Sequence, residues 1–107
     1  EAMETLLSLK QPPTAILAIN DYVALDAIQY AKSKKLKNNK DIFFVSYANL
    51  PITNYLENPP MASIEQYPKK QGTRAAEILL TLMTSPDPEL LAPQNVLIEG
   101  ELVVHKR

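Results

Sequence analysis

The sequence feature that most constrains the fold is a pair of short, continuous apolar segments, at residues 14–19 and 42–45. Apolar runs of this length without polar alternation are typical of strands that are buried on both faces, as in a parallel sheet. Between them, residues 22–36 carry apolar side chains at helical spacing and end in a lysine-rich turn. The order strand, helix, strand predicts an α/β domain with a mainly parallel sheet flanked by helices.

Further elements are predicted along the rest of the chain. A short helix opens it and ends before Pro12-Pro13, and a third strand is predicted at residues 62–65. A helix over residues 69–83 has an apolar stripe at 3.6-residue spacing. Its members are Gly72, Ala75, Ala76, Leu79, Leu80 and Met83. Two late strands are predicted at residues 96–98 and 102–104, with Gly100 as the break between them.

Composition and charge exclude several classes of protein. The 107 residues suffice for one small domain, and 46% of them are hydrophobic. The 11 basic and 12 acidic residues leave a net charge of -1, without the basic excess that nucleic-acid binding usually requires. The lysines at 32–40 lie at a helix end, so we interpret them as a solvated surface. No apolar run is long enough to cross a membrane, and no membrane partner is expected.

Catalytic and metal-binding patterns are missing from the sequence. There is no cysteine, and His105 is the only histidine, so neither a metal site nor a metal cofactor is expected. No nucleophile motif, phosphate loop or paired acidic residues at a catalytic spacing are present. The sequence predicts that the chain is not an enzyme and has no cofactor.

Polar residues follow both apolar strands, at the point where each strand ends. Asn20 follows the first and Asn49 the second, and ligands of open α/β sheets bind at the carboxyl ends of the strands. Each residue also has a purely structural interpretation, Asn20 as a helix cap and Asn49 as an Asx-turn. Asp21 is predicted to be a cap without a role in binding. Gln66, after the third strand, either contacts ligand or satisfies buried backbone.

The helix at 22–36 has more apolar residues than one buried face requires. A continuous face is predicted from Val23, Ala24, Ala27, Ile28, Tyr30 and Ala31. Tyr22 and Leu25 fall outside it. Together with the apolar residues of the following loop they form a candidate subunit interface, although scattered surface hydrophobes are also normal. The loop residues are Leu50, Ile52, Tyr55 and Leu56.

Motifs spread over nearly the whole chain narrow the choice of family. They are Pro13-Thr14-Ala15-Ile16, Ala18-Ile19-Asn20-Asp21 and Ala24-Leu25-Asp26-Ala27, then Asp41-Ile42 with Ser46-Tyr47-Ala48-Asn49, then Asn58 to Gln66, then Gly72 with Ala75-Ala76 and Leu79-Leu80, then Leu102-Val103-Val104 with Lys106-Arg107. In type and order they resemble motifs of the LacI/GalR family of bacterial transcription repressors. The resemblance implies a partial periplasmic-binding-protein-like type I domain.

The resemblance also implies how the chain is divided and where it binds. Residues 1–66 would belong to the C-terminal lobe of a sensor domain, and residues 67–107 would supply a crossover helix and terminal strands that pack partly on a missing N-terminal lobe. The implied effector-binding residues are Asn20, Ala48, Asn49 and Gln66. Ala48 stands where many members have an effector-binding aspartate, and Ser46 stands where glycine is usual, which restricts positive φ at that turn.

The function that this family implies is that of a cytoplasmic, homodimeric repressor that senses a small molecule, a sugar or sugar derivative. Operator DNA would be bound only through a headpiece absent from this chain. The family dimerises through the helix at 22–36 and the loop after the next strand. Two alternatives stay open at this point. One is a secreted sugar-binding protein of the same fold that feeds a transporter, and the other is a small α/β enzyme.

Overall fold

The computed structural model describes residues 1–105 and builds them around a four-stranded sheet. In chain order the elements are α1 (Ala2–Leu7), β1 (Ala15–Ala18), α2 (Asp21–Ser33), β2 (Phe43–Tyr47), a 3₁₀ helix (Pro51–Tyr55), β3 (Ala62–Glu65), α3 (Pro68–Thr84), a second 3₁₀ helix (Pro88–Leu90) and β4 (Glu101–Val104). The Lys106-Arg107 end of the last sequence motif lies outside the described residues.

The sheet is mainly parallel, as the alternation of strands and helices predicts. Its strand order is β1-β2-β3-β4, with β1, β2 and β3 parallel to one another and β4 antiparallel to β3. Since β1, β2 and β3 run in the same direction, their carboxyl ends meet at one edge of the sheet. This edge receives the polar loops that follow β1 and β2.

The core of the domain lies between α2 and one face of the sheet. Phe44 and Ile42 are fully buried and pack against Ala27, Ile28 and Ala31 of the helix. Most residues of the predicted buried face of α2 therefore do face the core, and Tyr30 packs at its margin. Val23 is an exception, because it is 44% exposed. It lies in the first turn of the helix, near the sheet edge rather than above the core.

The prediction that the strands are buried on both sides is wrong for the other face of the sheet. Leu17 and Ile19 belong to this face and are 62% and 75% exposed. On β4, Leu102 and Val104 are exposed in the same way and occupy the same face by register. α2, the helix that packs on β1 and β2, covers the opposite face. The apolar runs do form strands, but within the described residues only one side of them is well covered.

The described residues divide into two units, the first containing residues 1–65 and 101–105 and the second containing residues 66–100. The second unit consists of α3, a 3₁₀ helix and an extended stretch. α3 has no buried residue, and Leu79 and Met83 of its apolar stripe are 56% and 71% exposed. The predicted strand at 96–98 is wrong, because those residues have no regular structure and pair with no described strand. An apolar triplet has strand propensity, but a strand requires a hydrogen-bonding neighbour.

Candidate functional site

The candidate site is the sheet edge at which β1 and β2 end. Asn20 follows β1, and Ala48 and Asn49 follow β2 directly. β1 and β2 are parallel neighbours in register from Ala15 with Phe43 to Ala18 with Ser46. The loops that follow them consequently leave the sheet on the same edge.

Asn20 is the N-cap of α2. Its Oδ1 accepts a hydrogen bond of 2.9 Å from the backbone N–H of Val23, and its own backbone is extended, with φ of -157°. This is the geometry of an N-cap residue, whose side chain satisfies an N–H that has no partner within the helix. The capping bond uses the amide oxygen. The Nδ2 amide is a separate donor group on the same side chain, and it is the part suited to a ligand hydroxyl.

Ala48 and Asn49 form a left-handed turn immediately after β2. Their φ angles are 103° and 56°, in the region that side-chain-bearing residues seldom adopt. The backbone N–H of Ala48 donates to the carbonyl of Ile64 at 3.0 Å. Ser46, which replaces the glycine of the family pattern, lies within β2 and does not have a positive φ. The strained backbone is thus two residues further along, and the substitution at Ser46 does not restrict it.

Asn49 does not form the Asx-turn that its position allows. Its Nδ2 donates instead to Oε2 of Glu65 at 3.0 Å, and both side chains are partly buried. The bond joins the turn after β2 to the end of β3. The Oδ1 of Asn49 is the acceptor that remains on the side chain for a ligand.

Gln66 is the first residue of the second unit. Its backbone carbonyl accepts a hydrogen bond of 2.6 Å from Nε2 of Gln71 in α3. The described contacts of Gln66 are therefore with the start of α3, and its part in ligand binding stays a prediction.

Asp21 has a different role from the predicted one. The prediction that it caps α2 is wrong, because Asn20 holds the capping position and Asp21 is the first residue of the helix itself. Asp21 is fully buried. Its Oδ1 accepts hydrogen bonds from the hydroxyls of Ser46 and Ser63, and its Oδ2 accepts from the backbone N–H of Leu50. Ser46 and Ser63 are small polar residues next to or within apolar strand segments, and this is the sequence signal that could have indicated a buried polar partner.

The same cluster includes His105, but the residues are not arranged as in a catalytic triad with a serine nucleophile. Ser63 lies between Asp21 and His105, with Oγ to Nε2 of the histidine at 2.8 Å. A serine nucleophile requires its base to be oriented by the carboxylate, which places the histidine in the middle. Here the carboxylate binds the serine directly, so the arrangement does not activate the hydroxyl. Within residues 1–105 no group of three or more metal-ligating side chains is found.

The candidate interface residues lie around the start of α2 and the first 3₁₀ helix. Tyr22 is 59% and Tyr55 86% exposed, Ile52 is also exposed, and Leu25, Leu50 and Leu56 are partly buried. The bond from Leu50 to Asp21 places the beginning of the 3₁₀ helix beside the first turn of α2. In the described part of the chain, no helix has the length and apolar character of a membrane span.

Polar turns at the carboxyl ends of parallel strands occur where open α/β domains bind their ligands, so the arrangement is that of a ligand-binding α/β domain. Comparison with known proteins specifies the family. The model of the periplasmic binding protein-like domain matches residues 1–106, and the chain belongs to this family.

Two of the similar proteins are transcriptional repressors. The chain is 36% identical over 83 residues to the HTH-type transcriptional repressor CytR of Escherichia coli K12, covering 78% of this chain and 24% of CytR. It is 30% identical over 106 residues to the HTH-type transcriptional repressor PurR of Haemophilus influenzae PittEE, covering 99% of this chain and 31% of PurR. The chain thus spans about a quarter to a third of the length of these relatives.

Solved structures of regulators have the same fold. A regulatory protein of the LacI family from Chloroflexus aggregans superimposes with a TM-score of 0.78 at 26% identity, over 95% of this chain and 36% of that protein. Transcription regulator CcpA of Lactococcus lactis superimposes with a TM-score of 0.77 at 27% identity, over 94% of this chain and 35% of CcpA. The resemblance to LacI/GalR repressors and the predicted fold are confirmed.

Proposed function

We propose that this chain is the effector-binding and dimerisation region of a LacI-type transcriptional regulator that senses a sugar or sugar derivative. The observation that carries the proposal is the pairing of Asn20 and the Ala48–Asn49 turn at the carboxyl ends of two adjacent parallel strands. Membership of the periplasmic-binding-protein-like family and the repressors among its relatives support it.

The chemistry of the edge fits a hydroxylated ligand. Asn20 offers an amide donor and Asn49 an amide acceptor, because their other polar atoms are engaged by Val23 and Glu65. A sugar hydroxyl donates and accepts at once and pairs with both kinds of group. The side chain of Ala48 adds a methyl group and no hydrogen bond, which leaves the polar contacts of this edge to the two asparagines.

In the proposed mechanism, ligand binding shifts the full-length protein between two arrangements of its lobes. A ligand changes such an equilibrium only by its difference in affinity for the two states. DNA affinity then changes by the same coupling free energy, and the relation is reciprocal. Operator DNA is contacted by a headpiece outside this chain, and the protein works in the cytoplasm where its DNA is. The chain itself requires no cofactor, metal or membrane and catalyses no reaction.

The proposed protein is a homodimer. The proposed interface residues are Tyr22, Leu25, Leu50, Ile52, Tyr55 and Leu56, of which Tyr22, Ile52 and Tyr55 are exposed and the three leucines are partly buried. They lie on adjoining elements of the first unit, and exposed apolar side chains that gather in one patch usually mark an association site.

The exposed stripe of α3 supports a further part of the proposal, that residues 67–107 contribute to packing against a second lobe. The relatives are three to four times as long as the matched part, since it covers 24% of CytR and 31% of PurR. An amphipathic helix without a single buried residue requires a partner surface for its apolar side. The alternative of a transporter's sugar-binding protein is not favoured, because the relatives are repressors.

A thermal-shift screen of the full-length protein against monosaccharides tests the proposal. At least one sugar should raise the unfolding temperature, and the double variant Asn20→Ser, Asn49→Ala should lose that shift. Gln29→Ala is the matched control, since it removes an exposed amide from the same helix away from the sheet edge. A sugar shift that the double variant retains would show that the ligand binds elsewhere.

A further inference from the structure

The buried cluster around Asp21 joins four separate parts of the first unit. Asp21 is in the first turn of α2, Ser46 is in β2, Ser63 is in β3, and Leu50 directly precedes the 3₁₀ helix. The side chains of Asp21, Ser46 and Ser63 are completely inaccessible to solvent, and the carboxylate contacts each of its partners directly. A buried carboxylate is costly unless its oxygens are hydrogen-bonded. Here both oxygens are satisfied.

The hydroxyls of Ser46 and Ser63 lie 3.1 Å apart, so the polar atoms of the cluster are connected to one another. Each serine hydroxyl has one proton, and both are donated to Oδ1 of Asp21. Ser63 Oγ also lies 2.8 Å from Nε2 of His105. A chain of contacts therefore runs from His105 through Ser63 to Asp21.

The two oxygens of Asp21 have different tasks. Oδ1 is fixed to the sheet through the two serines, and Oδ2 holds the backbone of Leu50. Leu50 directly follows Ala48 and Asn49, whose positive φ angles make their turn an unfavourable one for residues with side chains. A strained turn persists only where its surroundings hold it. The carboxylate holds one end of the turn, and the bond from Ala48 to Ile64 holds the other.

We propose that Asp21 is the positioning residue of the candidate binding site: it fixes the turn of residues 48–50 against β2 and β3 through a carboxylate bridge. Ser46 is part of the bridge, so the hydroxyl at this position has a role that the glycine usual in the family pattern lacks. The inference rests on the proposed function in one respect only, that the turn carries ligand-binding residues. Asp21 itself is buried and does not contact the ligand.

The substitution Asp21→Asn tests the bridge. An asparagine side chain has the same size, but it accepts hydrogen bonds on one oxygen only, so it cannot hold both the serines and Leu50. The measurement is amide hydrogen exchange of the full-length protein, comparing the Leu50 amide with the amides of β2. We expect the Leu50 amide to exchange about tenfold faster or more, as for the loss of a bond to a charged group, while the β2 amides change by a smaller factor.

Asp26→Asn is the matched control, because Asp26 is exposed on the same helix and should leave both rates unchanged. An equal change in the Leu50 and β2 amides would show that Asp21 stabilises the fold as a whole, and this result overturns the proposal. An unchanged Leu50 amide overturns it as well.

If the Asp21→Asn protein does not fold, Ser63→Ala decides the question, since it removes one of the bonds that hold Oδ1 and keeps Asp21. A larger change at Leu50 than in β2 supports the bridge, and equal changes or no change overturn it. The exchange experiment contains no ligand. Failure of the sugar screen would therefore refute the proposed function and leave this inference intact, and the reverse also holds.

Discussion

At the scale of single residues, the two tasks of the Asn20 side chain can be separated by substitution. Serine is as good an N-cap as asparagine, so Asn20→Ser should keep the bond to Val23 and change the free energy of unfolding by a few tenths of a kcal/mol at most. It has no amide donor, so affinity for the sugar should fall by roughly 1–3 kcal/mol. Calorimetry and urea unfolding of the full-length protein measure the two quantities. A loss of stability without loss of affinity would assign Asn20 to capping alone.

Ala48 provides a second test at this scale. Its φ of 103° is unfavourable for a residue with a Cβ, and glycine removes the strain while adding freedom to the unfolded chain. We expect Ala48→Gly to raise the free energy of unfolding by between zero and about 1 kcal/mol. Ala27→Gly, within α2, should lower it by about 1 kcal/mol or more. Urea unfolding compares the two, and destabilisation by both substitutions would contradict the strain at Ala48.

The roles of individual side chains were harder to predict from the sequence than the helices and strands. The sequence places Asn20, Asp21 and Asn49 at the ends of strands, because apolar runs mark where strands stop. It does not say which of Asn20 and Asp21 turns inward. That choice depends on Ser46 and Ser63, which lie 25 and 42 positions from Asp21 and meet it only in the folded sheet. Local patterns do not contain contacts of this range.

At the scale of elements, the difference between α2 and α3 predicts opposite responses to similar substitutions. Ile28 on α2 is buried in the core, so Ile28→Ala should lower the free energy of unfolding of this chain by roughly 2–5 kcal/mol. Met83 on α3 is 71% exposed, and Met83→Ala should change it by about 0.5 kcal/mol or less. Urea unfolding of the 107-residue chain measures both. A large cost at Met83 would mean that α3 is packed in this chain.

Elements with a strong periodic pattern were predicted well, and those that depend on a distant partner were not. α2, β1 and β2 lie where the apolar spacing predicts them to within a few residues. Residues 96–98 have the same apolar character as residues 102–104, yet only the latter form a strand, because they have β3 as a neighbour. The exposed face of β1 has the same cause, since burial on both sides depends on packing partners and not on the strand itself.

At the scale of the whole molecule, we expect the protein to associate through the first unit. Tyr55 is the most exposed residue of the proposed interface, at 86%. The full-length protein should sediment as a dimer at micromolar concentration, the commonest oligomer of soluble proteins. Tyr55→Lys should shift it towards monomer, because a charge in an apolar interface is left desolvated. Gln29→Lys adds the same charge on α2 and should have no effect, and a dimer that tolerates Tyr55→Lys would place the interface elsewhere.

In the proposed function, a small molecule bound at the sheet edge alters DNA binding by the full-length protein. The direct measurement takes DNA fragments selected by that protein from a random pool and determines its Kd for them by fluorescence anisotropy, with and without the sugar found in the thermal-shift screen. We expect a change in Kd of about 5-fold to 150-fold at saturating sugar, the usual range of such couplings. The Asn20→Ser variant should require a higher sugar concentration for the same change. A Kd that is the same with and without saturating sugar would contradict the proposed coupling of ligand and DNA binding.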